Sequence, residues 1–265
     1  MNKITLEQWV EITRESGMPL YAVLTKTGAS QAVAEYYRHD GSHTPYGLYA
    51  RTPYADWFSV MPMIVSLSEN SPFLSWVAET EHKDWGWLAR SPFSLDVIGE
   101  HIRGLTQVIL PSGKEVFFRY WDGEYFSEHL RFFGQDWADI LPSFPFYWVN
   151  GEYFTVQIPA QSKPQAFPWW HVPQQLIDFM LEENLAPLVT NLIIWLQENE
   201  PDLYESFPET TIRYKAEHLC QLSQAQSMGK SLLMEELVNA LKDDLALQSN
   251  PFETLPLSFF TPPSF

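Results

Sequence analysis

The stretch FYWVNGEYFTVQIP, from Phe146 to Pro159, leaves the chain few choices. Asn150-Gly151 puts together two residues that tolerate positive φ, as the type I′ turn of a two-residue hairpin requires. The aromatic-rich arms on either side suit strands buried on one face. A hairpin here commits the molecule to a sheet, and the rest of the sequence has to cover that sheet.

Helices and strands alternate before it. Thr5 with Gln8 three residues on forms a capping box, and Leu6, Trp9, Val10 and Thr13 then fall on one helical face. PLYAVLTKT (Pro19 to Thr27) reads as a buried strand, SQAVAEYYRHD as a second helix and DWGWLARS as an aromatic strand. Ser94 is placed to cap LDVIGEHIRGL, and TQVILPSGKEVFFRYWD supplies two strands joined at Ser112-Gly113. EYFSEHLRFF reads as a helix ending at Gly134. The expected fold class is α+β: a mixed α/β N-terminal lobe with a central sheet of mixed pairing over 1–158, then an α-helical lobe. Between them lies a proline-rich junction at 159–173, with Pro159, Pro164, Pro168 and Pro173. Residues 174–265 read as helices, among them one with the stripe Met234, Leu237, Val238, Leu241 and Leu245.

Charge narrows the partners. The net charge is -17, and from Pro173 onward 14 Asp and Glu stand against 4 Lys and Arg. Such a field repels phosphate backbones and anionic headgroups, so neither nucleic acid nor a membrane is expected as a partner. The single cysteine, Cys220, suits a reducing compartment and reads as a small buried hydrophobe. The N-terminus has no apolar run of signal-peptide length, and the expected location is the cytoplasm.

Chemistry-bearing motifs are sparse. The sequence has no G-x-S-x-G, H-E-x-x-H, G-x-G-x-x-G or C-x-x-C. SMGKS has Gln224 where a phosphate loop needs its first glycine; Ser227 to Lys230 matches S-x-x-K and Lys26-Thr27-Gly28 matches K-T-G, but the order is wrong for a serine acylase and S-D-N is missing. The seven histidines are scattered, so no metal, no cofactor and no catalytic set is expected; His39, His43 and Asp56 are the least remote grouping for an enzyme.

Eleven tryptophans exceed what a core of this size uses. Trp87, Trp121 and Trp148 read as core. Trp169 and Trp170, adjacent in a non-periodic segment, read as partner anchors, together with Trp57 and Tyr54 in the turn-rich LYARTPYADWF. In LPSGKEVFFRYWD, a strand read through Arg119 projects a guanidinium from an apolar arm. Such a charge needs a partner, either a carboxylate or strand-end carbonyls, and Asp122, placed to cap the helix beginning at Gly123, is a nearby candidate.

LYARTPYADWFSVMPMIVSLSENSPFLSW followed by WGWLARSPFSLDVIGEHIRGLTQVILPSGKEVFFRYWD resembles the domain of unknown function 4123, found in adaptor chaperones of the bacterial type VI secretion system. The likeness spans about Leu20 to Leu141 and lies in the order of the pieces: a TPYA turn, a P-x-I-V-x-L strand, an SPFL-x-W helix start, an SP-x-SLD helix and an F-R-Y-x-D strand. Gly123 stands where the family often has proline. The resemblance implies a non-enzymatic adaptor with two partners, a cognate toxic effector and the VgrG spike onto which the effector is loaded. The alternative is a hydrolase or transferase whose site is built from dispersed residues.

Overall fold

The computed structural model describes residues 3–226 and 230–249. The chain divides into two compact units, Met1–Ile177 and Asp178–Phe265. Residues 159–173, expected as a junction, fall within the first unit.

The first unit begins with α1 (Leu6–Arg14), β1 (Leu20–Leu24), α2 (Ala32–His39), β2 (Tyr46–Gly47), β3 (Met63–Leu67), α3 (Phe73–Glu79) and β4 (Gly86–Arg90). It continues with α4 (Leu95–Arg103), β5 (Gln107–Ile109), β6 (Glu115–Phe117), α5 (Gly123–Phe133), α6 (Trp137–Ile140), β7 (Phe146–Val149) and β8 (Glu152–Thr155). The capping box forms as read, with Gln8 N–H donating to Thr5 Oγ1 at 3.3 Å and Thr5 N–H to Gln8 Oε1 at 3.1 Å. Ser94 precedes α4 in extended conformation, but its hydroxyl makes no capping bond.

Six strands form one sheet in the order β2-β3-β1-β4-β7-β8, and every pairing is antiparallel. The expected mixed pairing is corrected here. β3 and β4 do run the same way, joined through α3, but β1 lies between them antiparallel to both, so no parallel ladder forms. The Asn150-Gly151 hairpin is as read, both residues having positive φ, 50° and 85°.

β1 is buried along its whole length. Leu20, Ala22 and Leu24 face a layer in which Trp9 of α1, Tyr36 of α2 and Phe73 of α3 pack. On the opposite face Trp87 stacks on Phe126 of α5, ring centroids 4.5 Å apart, with Phe144 and Tyr147 beside it. At the β8 margin, the Gln135 side chain donates to Thr155 O at 2.8 Å and accepts from Gln157 N–H at 3.0 Å. One amide side chain thus stands in for a neighbouring strand.

Arg90, the last residue of β4, turns toward α1 and is wholly buried. Its five N–H groups are all used. Nε donates to Thr13 Oγ1 at 2.7 Å, Nη1 to Met18 O at 2.9 Å and Glu69 Oε1 at 2.6 Å, and Nη2 to Val10 O at 3.3 Å and Glu69 Oε2 at 2.8 Å. The charge sits near the C-terminal carbonyls of α1, where a cation is favoured, and 5.9 Å from the Trp9 ring. Arg90, with Arg14 second, holds the Glu69 carboxyl below its ordinary range.

From the first unit the chain passes through α7 (Gln174–Glu183) into α8 (Ala186–Asn199), α9 (Pro201–Glu205), α10 (Glu209–Gln226) and α11 (Lys230–Ser249). Leu192, Leu196, Ile212, Ala216, Leu237 and Leu241 are central in the core of the second unit. Of the α11 stripe, Leu237, Val238 and Leu241 are buried and Met234 packs against them, while Leu245 is more exposed. Cys220 is buried, which pushes its thiol up to about 11 and keeps it protonated. Ser227, Met228 and Gly229 of the SMGKS stretch lie outside the described residues.

Removing Glu69 leaves the Arg90 charge buried and uncompensated. Glu69→Ala is expected to cost about 3 to 5 kcal/mol and Glu69→Gln, which can still accept, distinctly less; urea unfolding of the two variants checks the order.

Candidate functional site

Residues 48–62, between β2 and β3, form a run of tight turns: Ala55 N–H donates to Thr52 O, Trp57 N–H to Tyr54 O and Val60 N–H to Trp57 O. Thr52 Oγ1 accepts from Tyr54 N–H at 3.1 Å, and the Tyr54 hydroxyl reaches Gln107 on β5 at 3.0 Å. Lys26 Nζ donates to the Phe58 carbonyl. These bonds lay the segment over one face of the β5–β6 hairpin, where Phe117 lies opposite Gln107.

A patch of rings results. Tyr54 lies 4.8 Å from Phe117 and 4.9 Å from Trp57, and Trp57 lies 5.4 Å from Phe117, centroid to centroid. Tyr49, buried beneath, touches Tyr54, Phe117 and Trp121. Burial, with Tyr54 beside it, pushes the Tyr49 phenol far up, so it stays neutral. Above these braces Trp57 is 46%, Phe58 64% and Val60 39% exposed. Of the residues expected to bind partners, Tyr54 and Trp57 stand together here.

Trp170 does not. Its ring is buried against Phe118, Phe133 and Trp137, at 5.3, 5.9 and 6.1 Å. The reason is a backbone strap: Ile109 N–H donates to Trp170 O at 2.9 Å and Val172 N–H to Ile109 O at 2.8 Å, which turns Trp170 inward. Trp169, its neighbour, is half-buried and lines a cleft of about 210 Å³ with His101, Asp139 and Ser162. In that cleft the Ser162 hydroxyl meets His101 Nε2 at 2.9 Å, a pairing that joins residues 61 positions apart and that the sequence gives no sign of. Burial holds the His101 imidazole below its ordinary value.

Trp87, Trp121 and Trp148 are buried as read. Around Arg119 the expectation is met in one part and corrected in another. Arg119 donates to Asp122 Oδ2 at 2.6 Å, and Asp122 Oδ1 accepts from Glu124 N–H at 3.1 Å, capping α5. However, β6 ends at Phe117, so strand alternation does not reach Arg119. Its side chain is 56% exposed and lies over the Tyr125 ring at 4.6 Å. The buried member is Asp122, whose carboxyl is pushed up by burial against the lowering pull of Arg119. A side chain at Gly123 would run into the Gly86 carbonyl, because α5 starts where it crosses the beginning of β4.

His39 pairs with Glu35 at 3.5 Å and His43 Nδ1 lies 3.1 Å from Ser42 Oγ, while Asp56 is exposed in the turn segment. Among the described residues no group of three or more His, Cys, Asp or Glu is arranged to hold a metal ion, and no helix is long and apolar enough to cross a membrane. A groove of about 640 Å³ between the start of α1 and the end of α3 is floored by Trp85 and Trp148.

Residues 20–137 match the family described as Domain of unknown function (DUF4123). The matched stretch holds the ring patch, both strands of the β5–β6 hairpin and the Arg119–Asp122 corner. Neither a curated protein nor a solved structure matches the chain.

Two predictions follow from burial. His129, packed between Phe118, Trp137 and Trp170, has its imidazole pushed down to about 4, so the folded protein keeps it neutral while the unfolded chain protonates it below about 6.5. Stability held at neutral pH is therefore lost as pH falls from 6.5 toward 4, by about 3 kcal/mol for this group. His129→Phe is expected to flatten that part of the pH–stability curve measured by urea unfolding. At the α5 corner, Asp122→Ala is expected to cost about 1 to 2 kcal/mol. Arg119→Ala should cost at most about 1 kcal/mol, as read from melting temperatures.

Proposed function

We propose that the chain is a non-catalytic adaptor chaperone of the type VI secretion system, which binds a toxic effector and promotes its loading onto the VgrG spike. The observation that carries the reading is the ring patch. Trp57 is braced by Tyr54 and Phe117, Phe58 and Val60 are exposed beside it in the chain, and braced, exposed aromatic residues are the side chains that dominate protein–protein binding energy. The match of residues 20–137 to DUF4123 agrees with the resemblance from which the adaptor role is taken. The acidic helical unit is a second surface of distinct chemistry, suited to a different partner.

A second reading draws on the Ser162–His101 pair, which has the contact a nucleophile and its base require. Under it the protein is a hydrolase and the cleft by Trp169 is its site.

Co-expression with the products of neighbouring genes separates the two. Under the adaptor reading an effector or a spike protein co-purifies, and Trp57→Ala combined with Phe58→Ala weakens capture by at least about tenfold. Phe58, largely exposed, should change stability by less than about 0.5 kcal/mol, and Trp57, which packs on Tyr54 and Phe117, by about 1 kcal/mol. Hydrolysis of an activated ester, abolished in Ser162→Ala, would overturn the adaptor reading in favour of the second.

A further inference from the structure

The β5–β6 hairpin has one closed margin and one bare one. Leu110 N–H donates to Lys114 O at 2.9 Å and Phe118 N–H to Thr106 O at 3.2 Å, and the register pairs Val108 with Val116. In an antiparallel ladder hydrogen-bonded pairs alternate with non-bonded ones. The backbone groups of Val116 therefore point at β5, and those of Glu115 and Phe117 point away from it. On the far side of β5, the equivalent outward groups of Ile109 are taken by Trp170 and Val172. On β6 the outward N–H and C=O of Glu115 and Phe117 have no hydrogen-bond partner among the described residues, and Glu115 is exposed.

We infer that this edge of β6 receives an extended segment of a partner polypeptide, rich in basic and apolar residues, as an added strand. Strand addition uses such a row of unpaired backbone groups for affinity and the neighbouring side chains for selection. Phe117 and Glu115 lie on the same face of β6, opposite Gln107 and Ile109, and that face carries Tyr54 and Trp57. Alternate side chains of an incoming strand would meet the rings and the carboxylate in turn. Glu115 and the exposed Asp56, next to Trp57, have no ion-pair partner among the described residues. Lys114 lies in the turn before β6, where its carbonyl accepts from Leu110 N–H. A lysine or arginine in the incoming segment would find a carboxylate and an aromatic face together. A second copy would add two more carboxylates without ion-pair partners, Glu115 and Asp56, to this edge on a chain of net charge -17, which favours a basic segment over a second copy as the occupant. The inference rests on the adaptor reading only for which protein supplies the segment.

The test uses the full chain and three labelled synthetic peptides: alternating lysine and valine, alternating glutamate and valine, and the lysine–valine sequence interrupted by proline. Binding is followed by fluorescence anisotropy. Glu115→Pro removes an outward N–H that the hairpin does not use, at an edge position where proline is tolerated. Glu115→Lys reverses the charge without touching the backbone. The expected result is binding of the lysine–valine peptide alone, weakened at least about tenfold by Glu115→Pro and by Trp57→Ala, with a shift toward the glutamate–valine peptide in Glu115→Lys. No binding by the native chain, or equal binding by Glu115→Pro with its melting temperature unchanged, overturns the inference. So does a concentration-dependent dimer, seen by light scattering, that Glu115→Pro abolishes. If effector or spike co-purifies equally with the native chain and Glu115→Pro, the edge inference fails and the adaptor reading stands. If the peptide binds at the edge but neither protein co-purifies, the edge inference stands and the adaptor reading fails.

Discussion

A buried arginine organises the first unit. Arg90 takes in the end of α1, the turn after it, the end of β4 and the loop after β3 through five hydrogen bonds from one planar group. A guanidinium removed from water is tolerated only when every donor is satisfied and the charge is balanced. The requirement works as a geometric constraint: Thr13, Met18 and Glu69 must all be in place together, so α1 can close over the sheet in one position only. Trp9 and Leu6 then meet Leu20, Ala22 and Leu88 in a layer that leaves β1 dry on both faces.

The opposite side of the sheet is ordered by rings. Trp87, Phe126, Tyr147 and Phe144 pack directly on it, and through Trp137 they continue to Phe118, His129 and Trp170. That sequence of contacts fixes the inner face of the β5–β6 hairpin. Its outer face is then a rigid support on which the 48–62 turns lay Tyr54 and Trp57. Preorganised rings lose little conformational freedom on contact with another protein, which is why their bracing matters as much as their exposure.

Local rules were the most legible in the sequence. The Asn150-Gly151 turn, the Thr5–Gln8 capping box and the Asp122 cap each depend on a few neighbouring residues and stand as read, as does the α11 stripe from Met234 to Leu241, with Leu245 left exposed. The two hairpins were legible, but the pairing of strands distant in sequence was not, because the α3 connection looks like a parallel crossover whether or not a third strand lies between the two it joins. Arg119 has apolar neighbours in the sequence, yet it is Arg90, in the equally apolar GWLAR, that is wholly buried. Its partner Glu69, 21 positions away along the chain and brought into contact only by the fold, decides which of the two is internal. Trp170 turned inward for a similar reason: the backbone bonds that orient it come from Ile109, far along the chain.

Gln135 offers a last consequence. By satisfying Thr155 and Gln157 with its own amide, it denies the broad sheet a free rim at that end of β8, where stacking of molecules into ribbons would otherwise start. That rim is closed by a side chain rather than by another strand, whereas the bare edge of β6 in the small hairpin is only three residues long.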